Sequence, residues 1–236
     1  GTKNAAFGKD SGKAITTGDQ NTAFGARSLQ AATTPSHNTA IGEATLYTNT
    51  TGANNTAVGS QALSANTSGV RNVAVGHQAM LRNTTGDFNT AIGRDALLNN
   101  TTADSNIAIG YGSLYQNTTG ASNVAIGYNC LDANTTGVNN TAVGDLSLGA
   151  CTTGYENTTV GKWAGAAITT GYHNVIIGHR TSYEANGTTT GINNTIIGAF
   201  ARPSSAGAGN ELVIGRYALA QGTNTGTIGI DGNGVH

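Results

Sequence analysis

An all-β fold, a parallel β-solenoid of 17-residue coils, is what this sequence predicts, and three observations carry the prediction. The first is a repeat. The signature Asn55-Thr56-Ala57-Val58-Gly59 recurs with small changes from Asn4 to Asn174, and successive signature asparagines differ by 17. A fixed period of this kind marks an array in which each unit packs mainly on its neighbours. The second is glycine, of which there are 35. Gly every few residues opposes a helix, and the apolar residues do not fall at helical spacings. The third is the content of each unit, short β-branched runs closed by Gly, which fits two strands of four or five residues per coil. Stacking such coils pairs each backbone with the coil above and below at about 4.8 Å per step.

Counting each coil from its signature Asn lets the elements be taken in order. Position 4 carries Phe7, Phe24, Ile41, Val58, Val75 and Ile92, stays apolar to Ile228, and is predicted to be a core ladder. Position 9 adds Leu29, Leu46, Leu63, Met80, Leu97 and their successors from the second strand. Position 3 points away from position 4, because strand side chains alternate. Yet Ala57, Ala74, Ala91, Ala108, Ala125 and Ala142 hold it without one Lys, Glu or Gln. A strand apolar on both faces is covered on both. One coil is too thin to cover both by itself, so the position-3 alanines are predicted to face another chain.

Position 6 mixes Lys9, Glu43, His77, Arg94 and Tyr111, the mark of an exposed corner. The Asn-Thr-Thr-Gly stretches, such as Asn49 to Gly52 and Asn83 to Gly86, predict turns whose Gly takes positive φ. Pro35 and Ala103 stand in for that Gly at two bends. Regularity divides the chain into residues 1–181, strictly periodic, and 182–236, irregular. In the second part the spacing becomes 20 to Asn194, 17 to Glu211 and 14 to Thr225. The extra residues between Tyr183 and Thr190 predict a protruding loop.

Bulk composition excludes several function classes. Net charge is -1 and only 10% of residues are charged. No basic face for nucleic acid is expected. No apolar run approaches the roughly 20 residues of a membrane helix, so membrane insertion is not expected. A strict period and low charge argue against disorder despite few large apolar residues. Cys130 and Cys151 fall at positions 8 and 12, different places on the coil, so two free thiols are expected rather than a disulfide. The chain opens mid-pattern at Gly1-Thr2-Lys3-Asn4, which reads as a segment of a longer protein.

Asn-Thr-Ala-Val-Gly and Asn-Val-Ala-Ile-Gly resemble the head repeats of YadA-like trimeric autotransporter adhesins. With Ala-Leu and Asn-Thr-Thr-Gly added, the unit is even more similar to repeats of bacteriophage tail fibres. The resemblance runs from Asn4 to about Gly229. It implies a left-handed parallel β-roll assembled as an intertwined or side-by-side homotrimer, outside the cell, on a virion tail fibre or a bacterial surface. It implies attachment to a cell-surface glycan or protein receptor. One departure is the period: the adhesin head repeat typically has the 14-residue spacing met here only between Glu211 and Thr225.

Candidate chemistry is sparse. The five histidines lie far apart along the array, with no recurring Cys or carboxylate beside them, so no metal site is expected. No Gly-x-Ser-x-Gly, Walker loop or dinucleotide fingerprint is present, and neither catalysis nor a cofactor is expected. Loops carry binding more often than the scaffold beneath them, which places receptor contact at Tyr183, Glu184 and Asn186. Tyr111 and Tyr128 at position 6 and Trp163 at position 7 are the second choice, as platforms for sugar rings. A reading of another class is an ice-binding solenoid, since Thr ladders on a flat face can order water. The Thr pairs here, such as Thr84-Thr85, lie in a Gly-terminated turn, which counts against it.

Overall fold

The computed structural model describes residues 1–183, 189–230 and 233–235, in two compact units, 1–119 and 120–236. This division falls inside the periodic stretch, and the change of regularity at 181 lies within the second unit. In the first unit the strands are β1 (Ala5–Phe7), β2 (Thr22–Phe24), β3 (Thr39–Ile41), β4 (Thr56–Val58), β5 (Val73–Val75), β6 (Thr90–Ile92) and β7 (Ile107–Ile109). Each lies parallel to the next with residues one coil apart in register, as in Thr56 opposite Val73 and Ala57 opposite Ala74.

The second unit continues with β8 (Val124–Ile126), β9 (Thr141–Val143), β10 (Thr158–Val160), β11 (Val175–Ile177), β12 (Thr195–Ile197), β13 (Leu212–Ile214) and β14 (Gly226–Ile230). A last strand, β15 (Asn233–Val235), runs antiparallel to β14. Despite the longer spacing, β11 and β12 keep register, with Ile176 opposite Ile196. Both units are parallel β-solenoids, and no helix occurs among the described residues. The period alone predicts that much.

Each coil has one strand, not the two expected. Around positions 7 to 10 the backbone alternates hand, with φ at 59° for Gln61 and 52° for Leu63. Alternate amides still bond to neighbouring coils: Gln61 N donates to Glu43 O at 2.8 Å and Leu63 N to Ala79 O at 2.9 Å. A left-handed residue with a side chain costs about 1–2 kcal/mol. Full burial of a Leu side chain offsets this with about 1.5–3 kcal/mol, and Leu63 is fully buried. A strand would satisfy the same amides but could not bend the chain back around so small a core.

The turn also differs from expectation. Positive φ falls at position 17, as at Asn54 (60°) and Arg71 (56°), and not at the position-15 glycines. Those glycines answer to space instead. A Cβ on Gly69 would lie 2.5 Å from Gly86 O and 2.4 Å from Asn66 Oδ1. Gly93, at position 5, combines both demands, with φ of +136° and a Cβ that would meet Gly110 O at 2.5 Å.

Two columns of buried asparagine line the coils, one at position 1 from Asn21 to Asn194 and one at position 12 from Asn49 to Asn134. In the first, Asn72 N donates to Asn55 Oδ1 (2.9 Å), Asn72 Nδ2 to Gly86 O (2.8 Å), and Asn72 Oδ1 accepts from Asn89 N (2.9 Å). In the second, Asn66 Nδ2 donates to Asn49 Oδ1 at 2.8 Å and to Gly69 O at 3.0 Å. Asn72→Ala leaves the buried Asn89 amide without its acceptor, at about 1–3 kcal/mol for an orphaned group, while the Gly86 carbonyl keeps Asn83 Nδ2 at 3.0 Å. A loss of about 1–3 kcal/mol is expected in urea denaturation. A change below about 0.5 kcal/mol would be that of an ordinary surface site and would show the column to be dispensable.

The remaining core is conserved in volume. Where position 9 is Gly165 in place of Leu, position 12 becomes Ile168 and position 3 becomes Ile176. A Cβ on Gly165 would lie 3.3 Å from Ile168 Cδ1 and 3.5 Å from Ile176 Cδ1. Gly12 and Ile15 show the same exchange. Interiors packed to crystal density require such compensation. It also shows that positions 3, 9 and 12 converge on one interior.

Candidate functional site

The inner and outer faces of the strand are the reverse of the expected ones. Ala57, Ala74, Ala91, Ala108, Ala125 and Ala142 are each 0% exposed in the single chain, so these alanines form its own core and cannot meet a partner. Leu at position 9 and the two asparagine columns fill the interior so closely that a methyl is all the strand adds. The expected core ladder at position 4 points outward instead. Phe7 is 69% exposed, Ile92 40% and Ile126 37%. Position 2 shares this face with threonine in most coils, and its apolar members Ile107, Val175 and Leu212 are exposed. Phe7 and Phe24 stack with centroids 5.0 Å apart. Each unit thus carries a strand face of apolar side chains that its own coils leave uncovered.

A second cluster gathers near the corner after the strand. The Trp163 and Tyr183 rings lie 5.3 Å apart, and the Arg180 guanidinium carbon is 4.4 Å from the Trp163 centroid and 5.4 Å from that of Tyr183. His179 meets Phe200 edge-on at 5.3 Å, and Phe200 stacks on Tyr217 at 4.9 Å. Arg216 covers Tyr217 at 4.7 Å. Lys162 also approaches Trp163, at 4.6 Å, but its charge is paired with Asp145 at 2.9 Å. Cation–π pairs of this geometry contribute about 0.5–1 kcal/mol each when exposed.

Of the residues expected to touch a receptor, the structure brings Trp163 and Tyr183 together. Tyr111 in the first unit and Tyr128 in the second are both exposed, and Arg94 lies 5.8 Å over the Tyr111 ring. Glu184 and Asn186 lie outside the described residues. Arg180, Phe200 and Tyr217 escape a sequence reading, although position 7 of four successive coils reads Trp163, Arg180, Phe200, Tyr217. That column is visible once the longer coil is counted from Asn194.

The threonine columns part company. Position 13 hydroxyls donate along the array, Thr67 Oγ1 to Thr84 O at 3.0 Å and Thr84 Oγ1 to Thr101 O at 2.9 Å. The position-14 column, with Thr51, Thr85 and Thr102, is exposed, whereas position 13 is exposed at Thr16 and Thr50 and half-buried at Thr33, Thr67, Thr84 and Thr101. His173 Nε2 is 2.8 Å from Glu156 and His77 Nδ1 is 4.0 Å from Asp95. Among the described residues no three His, Cys, Asp or Glu converge.

Cys130 and Cys151 are free and buried. Cys130 Sγ donates to Ala142 O at 3.2 Å, and burial pushes both thiols up to about 12. Reactivity needs the thiolate, so neither is expected to react with a thiol reagent at pH 8 while the chain is folded. Both should react in denaturant. The folded state holds these protons more tightly than the unfolded chain, so the associated stability is complete below the ordinary thiol value of 9.0 and is lost between there and about 12.

No helix among the described residues is long and apolar enough to cross a membrane. No protein-family model matches the chain, and no curated protein matches it in sequence.

Proposed function

We propose that this chain is a structural and attachment segment of a homotrimeric fibre, a bacteriophage tail fibre that mediates binding to a host surface. The observation that carries the reading is the outward apolar ladder at position 4, which recurs in both units and calls for a covering surface. The chain itself is the partner of choice. A rank that repeats once per coil matches a copy with the same coil spacing, and cyclic symmetry is the usual way identical chains close such a contact. Threefold closure, a left-handed roll and an extracellular or virion location follow from the resemblance of the repeats to tail-fibre and adhesin units.

Attachment fits a scaffold that repeats one shape over many coils and departs from it near one end. Three copies of any receptor contact would raise avidity without new contacts. Light scattering of the purified chain is expected to give three chains per particle, with retention on host cells in a pull-down. A folded particle of one chain would overturn the reading.

A further inference from the structure

We propose that His173 and the last asparagine of each of the next three coils form a proton-operated relay at one corner of the second unit. Protonation of His173 sets the direction in which the side-chain amides of Asn193, Asn210 and Asn224 point, and loss of the proton reverses all three. The inference stands apart from the fibre reading above.

The rank occupies the last residue of each coil, position 17 in the regular ones, and its backbone is left-handed throughout. The angle φ is 53° at Glu156, 57° at His173 and Asn193, 56° at Asn210 and 63° at Asn224. Each amide is tied to the coil before it. His173 N donates to Tyr155 O (3.1 Å), Asn193 N to Tyr172 O (3.2 Å), Asn210 N to Ile192 O (3.0 Å) and Asn224 N to Gly209 O (3.2 Å). Asn suits left-handed φ, which accounts for three of the residue types. It does not account for the bonds that join them.

Those bonds run in one direction. Asn210 Nδ2 donates to Asn224 Oδ1 at 2.9 Å, and Asn193 Nδ2 to Asn210 Oδ1 at 3.1 Å. Asn193 Oδ1 is thereby left facing His173 Nδ1 at 3.2 Å. On the far side of the ring, His173 Nε2 lies 2.8 Å from the Glu156 carboxylate. Both ring nitrogens face acceptors, and only the imidazolium, with a proton on each, donates to both. The arrangement is that of protonated His173.

A neutral ring keeps one N–H, and the carboxylate, as the stronger acceptor, retains it on Nε2. Nδ1 then presents a lone pair to Asn193 Oδ1, two acceptors in contact. Turning the Asn193 amide over brings Nδ2 to Nδ1 and restores a hydrogen bond. Its Oδ1 now meets Asn210 Oδ1, so Asn210 turns as well, and Asn224 after it. Any partial reversal leaves two like atoms facing, so the rank has two self-consistent states. One proton is read three coils away, about 14 Å at strand spacing.

The surroundings leave the histidine in control. Tyr155 and Tyr172 stack at 4.6 Å and meet the His173 ring edge-on at 5.5 and 4.9 Å. They are its titratable neighbours, and Asn193 from the next coil is neutral. Among the described residues Glu156 is the one charged group within ion-pair distance of the ring, and it has no other ion-pair partner. Histidine is the side-chain type whose charge changes between about pH 5 and 8.

The test is heteronuclear NMR of the intact chain between about pH 5 and 8. Ring nitrogen shifts are expected to report an imidazolium at the acid end and the Nε2–H tautomer at the other. The side-chain NH2 signals of Asn193, Asn210 and Asn224 are expected to shift with the same midpoint as the ring. His173→Gln should hold all three signals fixed across the range, with the far-UV circular dichroism unchanged. Asn193→Ser should leave His173 titrating while Asn210 and Asn224 stay fixed, which separates a relay from the field of the charge alone. Amide signals that stay fixed in the parent chain overturn the proposal. So do a neutral ring that carries its proton on Nδ1, a His173→Gln chain whose amides titrate like the parent's, and Asn210 and Asn224 signals that still follow pH in the Asn193→Ser chain. The tautomer and Asn193→Ser measurements need no change at His173, so they decide the matter even if His173→Gln fails to fold.

Discussion

Ala91→Glu is expected to unfold the first unit, not merely to disperse an assembly. Ala91 is fully buried in β6, in register with Ala74 on one side and Ala108 on the other. A glutamate there has no cationic partner and no route to solvent through the coil. Leaving a charge buried and unpaired costs about 3–5 kcal/mol, and the added volume forces the wall of a close-packed interior, at about 1–3 kcal/mol more. Together these approach the whole stability of an ordinary domain, about 5–15 kcal/mol. Urea denaturation followed by circular dichroism should show the midpoint collapse or the native signal vanish. A folded Ala91→Glu chain that has only lost self-association would reverse the assignment of faces.

One residue further on, Ile92→Glu should do the opposite. Ile92 is 40% exposed on the outer face, where a carboxylate reaches water. The stability of the isolated chain is expected to move by no more than about 0.5 kcal/mol, the range of ordinary surface substitutions. Self-association should be abolished, because apposed outer faces would bury one unpaired charge from each copy, at about 3–5 kcal/mol apiece. Scattering should then report one chain per particle with an unchanged circular dichroism spectrum. An oligomer that survives Ile92→Glu removes the outer ladder from the interface.

The contrast between these neighbours shows where a sequence reading stops. Positions 3 and 4 are both free of charged residues in the regular coils, so each reads as covered, and nothing in the order of residues says by what. Size pointed the wrong way: Val, Ile and Phe suit a core, and Ala suits a crowded axis between chains. The crowded axis is real, but it is the inside of the coil itself. The aromatic column was hidden for a related reason. Trp163 and Tyr183 are 20 apart and His179 and Phe200 are 21 apart, so neither pair falls on the 17-residue period that draws the eye.

What the sequence determined by itself is whatever depends on the period. Parallel stacking, one-coil register and the asparagine columns follow from identical residues returning every 17, and the exposed corner at position 6 from residues that vary on the same period. What only the tertiary structure decided is whatever depends on how one coil closes. Left-handed residues at positions 7, 9 and 17 bend the coils from Asn38 to Asn123 so tightly that a Leu or Met and two asparagines fill the inside and leave the strand room for a methyl. That closure turns the larger β-branched residues outward, and no pairwise spacing encodes it, because the volume enclosed depends on all the backbone angles of a coil together.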